Sequence, residues 1–234
     1  MTRAVFFDVD FTLIYPGPTF RGEGYREFCS RHGMDVDPLR FEAAVQAASA
    51  ILDEARDHIY EAALFHRYTA AIIEGMGGAG PQVAACAAEI YEEWAACHHF
   101  ALYEDVPGAL REIAGRGIRI GLISNSHRCL ASFQSHFELE GLITGTVSSS
   151  EHGYMKPHPS IFDAALRLVE VSAAESVMVG DSFAHDIEGA LRVGMKGVLV
   201  RRSGYSSTVG QFGARSTAAV VPVIRSLVEL AALL

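Results

Sequence analysis

Residues Ala4–Thr12 read AVFFDVDFT: four apolar residues in a row, then Asp8, Asp10 and Thr12 within five positions. An apolar run without alternation is what a strand buried on both faces requires, as in a parallel sheet. Its abrupt polar end puts two carboxylates and a hydroxyl at the strand's carboxyl end. The pattern recurs at Ile118–Asn125, Gly145–Ser150, Ser176–Asp181 and Lys196–Arg202, with helical patterns at Pro107–Gly117, Pro159–Val169 and Asp186–Gly194. Strands alternating with helices in this way predict an α/β fold with a doubly wound, Rossmann-like parallel sheet core.

From Pro16 to His99 the alternation stops. This stretch is rich in Ala, shows no strand pattern and reads as helix after helix. Asp37-Pro38 has the form of an N-cap followed by proline in the first turn. Gly75–Pro81 interrupts the next helical pattern, and a further helix is expected to reach about Cys97. The predicted organisation is an α/β core domain, residues 1–15 and 100–234, with an all-helical domain inserted at residues 16–99. The insert carries six basic and thirteen acidic residues, so most of the net charge of −9 sits there.

The 234 residues are 50% hydrophobic and 20% charged, enough apolar material for a sizeable core. No basic run exceeds Arg201-Arg202, so no nucleic-acid partner is expected, since that class needs a basic stripe. Nowhere do ~18 uninterrupted apolar residues suggest a membrane span, and no signal-peptide pattern stands at the start. A cytoplasmic protein with no membrane partner is therefore expected. Cys29, Cys86, Cys97 and Cys129 form no C-x-x-C pair and read as free thiols. Gly75–Gly80 matches G-x-G-x-x-G, but it follows a helix rather than a strand and reads as a helix-ending loop. There is no H-E-x-x-H, and adjacent His98 and His99 cannot share one helix face, so zinc is not expected. G-x-S-x-G is also absent, which removes the usual serine-hydrolase elbow.

Four segments at the ends of predicted strands remain. They are Asp8–Thr12, Ser124-Asn125, Lys156-Pro157 after the third strand, and Gly180-Asp181-Ser182 with Asp186. In an open parallel sheet, ligands bind beyond the carboxyl ends of the strands, so residues far apart in sequence would meet in one crevice. Composition adds weight to this. The chain has seventeen Arg but two Lys, and Asn125 is its single asparagine, yet Lys156 and Asn125 both stand at these ends.

Together the segments resemble the haloacid dehalogenase superfamily, and the insert resembles its helical cap. The family's D-x-D-x-T motif is met by Asp8, Asp10 and Thr12, its strand-end Ser by Ser124, its Lys by Lys156, and its acidic pair by Asp181 and Asp186. Phe11 stands where many of its phosphatases have Gly. The resemblance implies a phosphatase acting on small phosphate monoesters through an aspartyl-phosphate. It makes Asp8 the nucleophile and Asp10 the general acid and base. Mg²⁺ would be held by Asp8, Asp181 and the backbone carbonyl of Asp10. Thr12, Ser124, Asn125 and Lys156 would bind substrate, with Lys156 also neutralising charge and Asp186 behind them. The implied partner is a small phosphorylated metabolite. Asp10 argues against a dehalogenase, because halide leaves without a proton. The absence of Lys from the insert argues against a phosphonoacetaldehyde hydrolase, which needs one for a Schiff base. A phosphomutase uses the same motifs and is the alternative. A non-catalytic binding module would be expected to lack one of the charged residues, and none is missing.

Overall fold

The computed structural model describes residues 1–202 and 221–234. Residues 203–220 of the expected core lie outside that range. The chain separates into two compact units, Met1–Tyr15 with Leu102–Leu234, and Pro16–Ala101. Strand β1 (Ala4–Phe7) is wholly buried and β2 (Ile14–Pro16) follows it. The second unit holds α1 (Gly22–Arg31), α2 (Phe41–Ala48), α3 (Ala62–Gly75) and α4 (Gln82–Trp94), after which β3 (Phe100–Leu102) pairs with β2. The rest of the first unit runs α5 (Val106–Gly115), β4 (Arg119–Ser124), α6 (Leu130–His136), β5 (Gly145–Ser148), α7 (Ser149–His152), α8 (Pro159–Val169), β6 (Ser176–Gly180), α9 (Glu188–Arg192), β7 (Lys196–Val200) and β8 (Val223–Ile224).

The helical unit departs from the sequence reading in two places. The short β2–β3 pair was not expected, because three residues ending in proline carry no strand periodicity. Helix α4 ends at Trp94 rather than near Cys97, although no Gly or Pro marks the stop. A tight turn at Cys97–His99 follows, with the His99 carbonyl accepting from Gly17 N at 2.7 Å and His99 Nε2 lying 2.9 Å from Glu93 Oε2. Because this turn is not α-helical, the His98 and His99 rings sit 4.0 Å apart. Phe20 packs against Trp94 and Phe100, with ring centroids at 4.6 and 5.5 Å. Asp37 does cap the helical segment at Pro38, its carboxylate accepting from Leu39 N at 3.0 Å. The glycine-rich loop ends α3, as expected.

The six strands of the main sheet are parallel and ordered β5-β4-β1-β6-β7-β8. This is the doubly wound α/β sheet. From β1 the chain builds outward through β4 and β5 on one side, then crosses to build β6, β7 and β8 on the other. The strand order reverses beside β1, which is where such sheets offer a ligand crevice. One face is covered by α8, whose apolar residues Ile161, Phe162, Ala165, Leu166 and Val169 recur at helical spacing and meet Phe6, Ile123 and Met178.

Candidate active site

Asp8 begins where β1 ends. Its N–H donates to Val179 O on β6 at 2.9 Å, so the ladder itself fixes the residue at the reversal of strand order. The neighbouring turn is tight: Leu13 N and Ile14 N both donate to Val9 O, and Phe11 takes a left-handed conformation with φ of 62°. Such a conformation suits glycine and strains a residue with a Cβ. That accounts for the glycine many of the resembling phosphatases have there.

Lys156 is 2% exposed and its Nζ meets three acceptors. It donates to Asp8 Oδ1 at 2.6 Å and Ile123 O at 2.8 Å, and pairs with Asp186 Oδ1 at 2.7 Å. The first two are hydrogen bonds and the third is an ion pair. Lys156 therefore faces protein on each bond, and in this arrangement it neutralises Asp8 rather than reaching for a ligand. Asn125 sets its position: Nδ2 donates to Lys156 O at 2.9 Å, while Oδ1 accepts from Lys156 N at 2.7 Å. The structure thus gives Asn125 a positioning contact beside its expected substrate contact. Its amide is engaged by the backbone of the lysine segment, and it acts on the site through Lys156.

Asp186 reaches Lys156 because the chain makes one π-helical turn over Phe183–Ile187, with Ile187 N donating to Ser182 O. Such turns are uncommon and recur at functional sites. Asp186 Oδ2 accepts from Ser182 N at 3.0 Å. A Cβ built on Gly180 would lie 2.2 Å from that oxygen, so only glycine fits at the end of β6.

Asp8, Asp181 and Asp186 are all buried, with ligand oxygens within 4.8 Å of one another. Burial pushes the Asp8 carboxyl up to about 7, the attraction of Lys156 opposing and the repulsion of Asp186 and Asp10 adding to it. Burial also works against the Lys156 charge, but Asp186 and Asp8 outweigh it and hold the ammonium firmly protonated. Three carboxylates beside one ammonium leave the cluster short of positive charge. A donor set made only of oxygens suits a hard divalent cation. The residues present therefore fit such an ion. The hydroxyls Thr12 Oγ1 and Ser124 Oγ are buried and have no hydrogen-bond partner among the described residues, which suits them to an arriving oxyanion.

The family model for haloacid dehalogenase-like hydrolases matches residues 2–194. The chain belongs to this family of hydrolases. The hydrolase is 31% identical to the N-acylneuraminate-9-phosphatase of Rattus norvegicus over 99% of its length and 93% of the relative's. It is 30% identical to the glyceraldehyde 3-phosphate phosphatase of Pyrococcus abyssi, over 85% of its own length and 81% of that protein. Its fold matches the magnesium-bound HAD-hydrolase YfnB of Bacillus subtilis with a TM-score of 0.74, at 15% identity and 99% and 98% coverage.

Three arginines at the hydrolase's site escaped the sequence reading. Arg128, with a fully buried side chain, pairs with Asp10. Arg201 donates to the carbonyl of Asp181. Arg202 donates to Thr12 O at 2.8 and 3.2 Å while gripping Asp105 at 2.6 and 2.7 Å. In the sequence the pair Arg201-Arg202 reads only as the longest basic run, at the end of a predicted strand. The end of β7 in fact places one arginine on the carbonyl of each carboxylate-bearing loop. No local signal marks these residues. Among the described residues no helix is long and apolar enough to cross a membrane.

Proposed function

We propose that this hydrolase is a Mg²⁺-dependent phosphatase of small phosphate monoesters, working through a phosphorylated Asp8. The observation that carries the reading is a second carboxylate, Asp10, two residues beyond a buried, lysine-paired Asp8. Carbon–halogen hydrolysis has no use for that second group, whereas ester hydrolysis needs it. The two phosphatase relatives support the same class of substrate.

In the first half-reaction an Asp8 oxygen attacks phosphorus, the P–O bond to the leaving group breaks, and Asp10 hands its proton to the departing alkoxide. In the second, Asp10 takes a proton from water as the water attacks phosphorus. The bond to Asp8 then breaks, returning both carboxyl groups to their starting states. Lys156 favours the ionised form of Asp8 against its burial, with Asp186 pairing the ammonium and Asn125 fixing the lysine's backbone. Thr12 and Ser124 would hold phosphoryl oxygens. Asp8, Asp181 and the Asp10 carbonyl would hold the Mg²⁺, which when bound supplies positive charge to the transferring group. The helical unit is inserted three residues beyond Thr12.

The test is phosphate release from a panel of small monoesters, with Mg²⁺ and with chelator, paired with thermal melts. Release that depends on Mg²⁺, together with a rise in Tm of the wild type that Asp181→Asn removes, is expected. Equal release after exhaustive chelation would overturn the metal assignment. Release from no ester would overturn the activity.

A further inference from the structure

The geometry points to Arg128 as the residue that positions Asp10, so that the turn after β4 aims the proposed acid–base group. This deepens the phosphatase reading and rests on it. Asp10 precedes the left-handed Phe11 and its side chain is 18% exposed; among the described residues its carboxylate takes its hydrogen bonds from Arg128. Proton transfer requires that group within hydrogen-bond reach of the leaving oxygen. Arg128 Nη1 donates to both carboxylate oxygens, at 2.9 Å to Oδ1 and 3.0 Å to Oδ2. A side chain with no exposed surface has no room to swing, so the carboxyl it grips is held as well.

Arg128 is in turn anchored. Its N–H donates to Ser126 Oγ at 3.0 Å, and the Ser126 carbonyl accepts from Ser150 N at 3.4 Å and Ser149 Oγ at 3.5 Å. Three residues earlier in the same turn, Asn125 clamps the backbone of Lys156. One turn thus references both partners of the reaction: the cation beside Asp8 through Asn125, and the acid–base group through Arg128. Both bonds come from Nη1, a single nitrogen shared between the two carboxylate oxygens, and the burial of the guanidinium keeps that nitrogen in place. Arg128 acts on the leaving group only through the Asp10 carboxylate it grips, which makes it a positioning residue.

The pair could instead simply hold the turn, and leaving groups separate the two roles. A misaimed Asp10 harms esters whose alkoxide needs a proton and spares those whose leaving group departs as a stable anion. Wild type, Asp10→Asn, Arg128→Met and the double variant are compared with Mg²⁺ on p-nitrophenyl phosphate and on glycerol 3-phosphate. For Arg128→Met we expect kcat on the alkyl ester to fall ~10–100-fold with KM little changed. The loss on the aryl ester should stay below ~3-fold, and the double variant should be no slower than Asp10→Asn. If Arg128→Met does not fold, Arg128→Lys retains the charge and must show the same selectivity in weaker form. Equal losses on both esters, a raised KM with kcat intact, or additive losses in the double variant would each overturn the assignment. If Asp10→Asn shows the leaving-group selectivity and the Arg128 variants do not, this inference alone falls. If the wild type releases phosphate from no ester of the panel, or Asp10→Asn harms aryl and alkyl esters equally, the phosphatase reading fails first and takes this inference with it.

Discussion

The two units bury polar groups differently. Among the described residues, the α/β unit takes Asp8, Asp181, Asp186, Lys156 and Arg128 out of water. The helical unit buries no charged side chain, and its buried polar residues are Ser49 and Thr69. Its interior is aliphatic and aromatic: Ile72, Ile73 and Ile90 are buried, and Phe20, Trp94 and Phe100 pack ring against ring. A buried ion is costly unless partnered, so a unit that only needs to fold has no reason to hold several. The α/β unit holds them by pairing: Lys156 with Asp8 and Asp186, and Arg128 with Asp10. The difference teaches where this chain is vulnerable: to loss of one ion in the α/β unit, and to loss of apolar volume in the helical one.

The contrast breaks hardest at Asp8. Asp8→Asn removes the proposed nucleophile but leaves Lys156 paired with Asp186, so turnover should fall at least ~10³-fold while the melting temperature holds. Phosphate release and a thermal melt on one preparation check both halves. Lys156→Met comes next. It strands Asp8 and Asp186 in a buried site, and stability should drop by about 3 kcal/mol along with activity, which a urea titration reads directly. A loss below ~1 kcal/mol would show that the buried network matters less to folding than its geometry implies.

The smallest effect is expected on the surface of the helical unit. Glu89 accepts from Arg31 at 2.6 Å and lies 2.5 Å from His32 Nε2, and these bonds, Arg31 first, hold its carboxyl below its ordinary value. A depressed carboxyl stabilises the fold above its unfolded pKa and loses that contribution as pH falls through the folded one. Glu89 is more than a third exposed, so solvent screens the pair. Glu89→Gln should therefore cost less than ~1 kcal/mol at neutral pH, and the difference from wild type should vanish on acidification well below pH 4.5, the carboxyl's ordinary value. Denaturant midpoints at neutral and acid pH test it.

Legibility in the sequence followed the range of the interaction concerned. The strands β1, β4, β6 and β7 were readable because burial on both faces leaves a continuous apolar run in a single window. The end of α4 was not, since Ala95-Ala96 favours helix and the chain stops there for contacts made by Gly17 and Phe20. Asn125 drew notice through its rarity, but its hold on the lysine segment was not legible, because rarity says nothing about what an amide faces. Its partner is the backbone 31 residues away.

By itself, the sequence determined the α/β class, the helical insertion after the first motif, and which polar residues stand at strand ends. Each of these follows from periodicity and spacing within a few residues. Only the tertiary structure decided that Lys156 spends its bonds on Asp8, Ile123 and Asp186, and that Arg128 holds Asp10 across 118 positions. Likewise, only the fold shows Arg201 and Arg202 bracing the two carboxylate loops from the end of β7. A buried ion pair needs complementary charge at one point in space, and parallel strands bring that point together from segments whose separation along the chain leaves no local pattern.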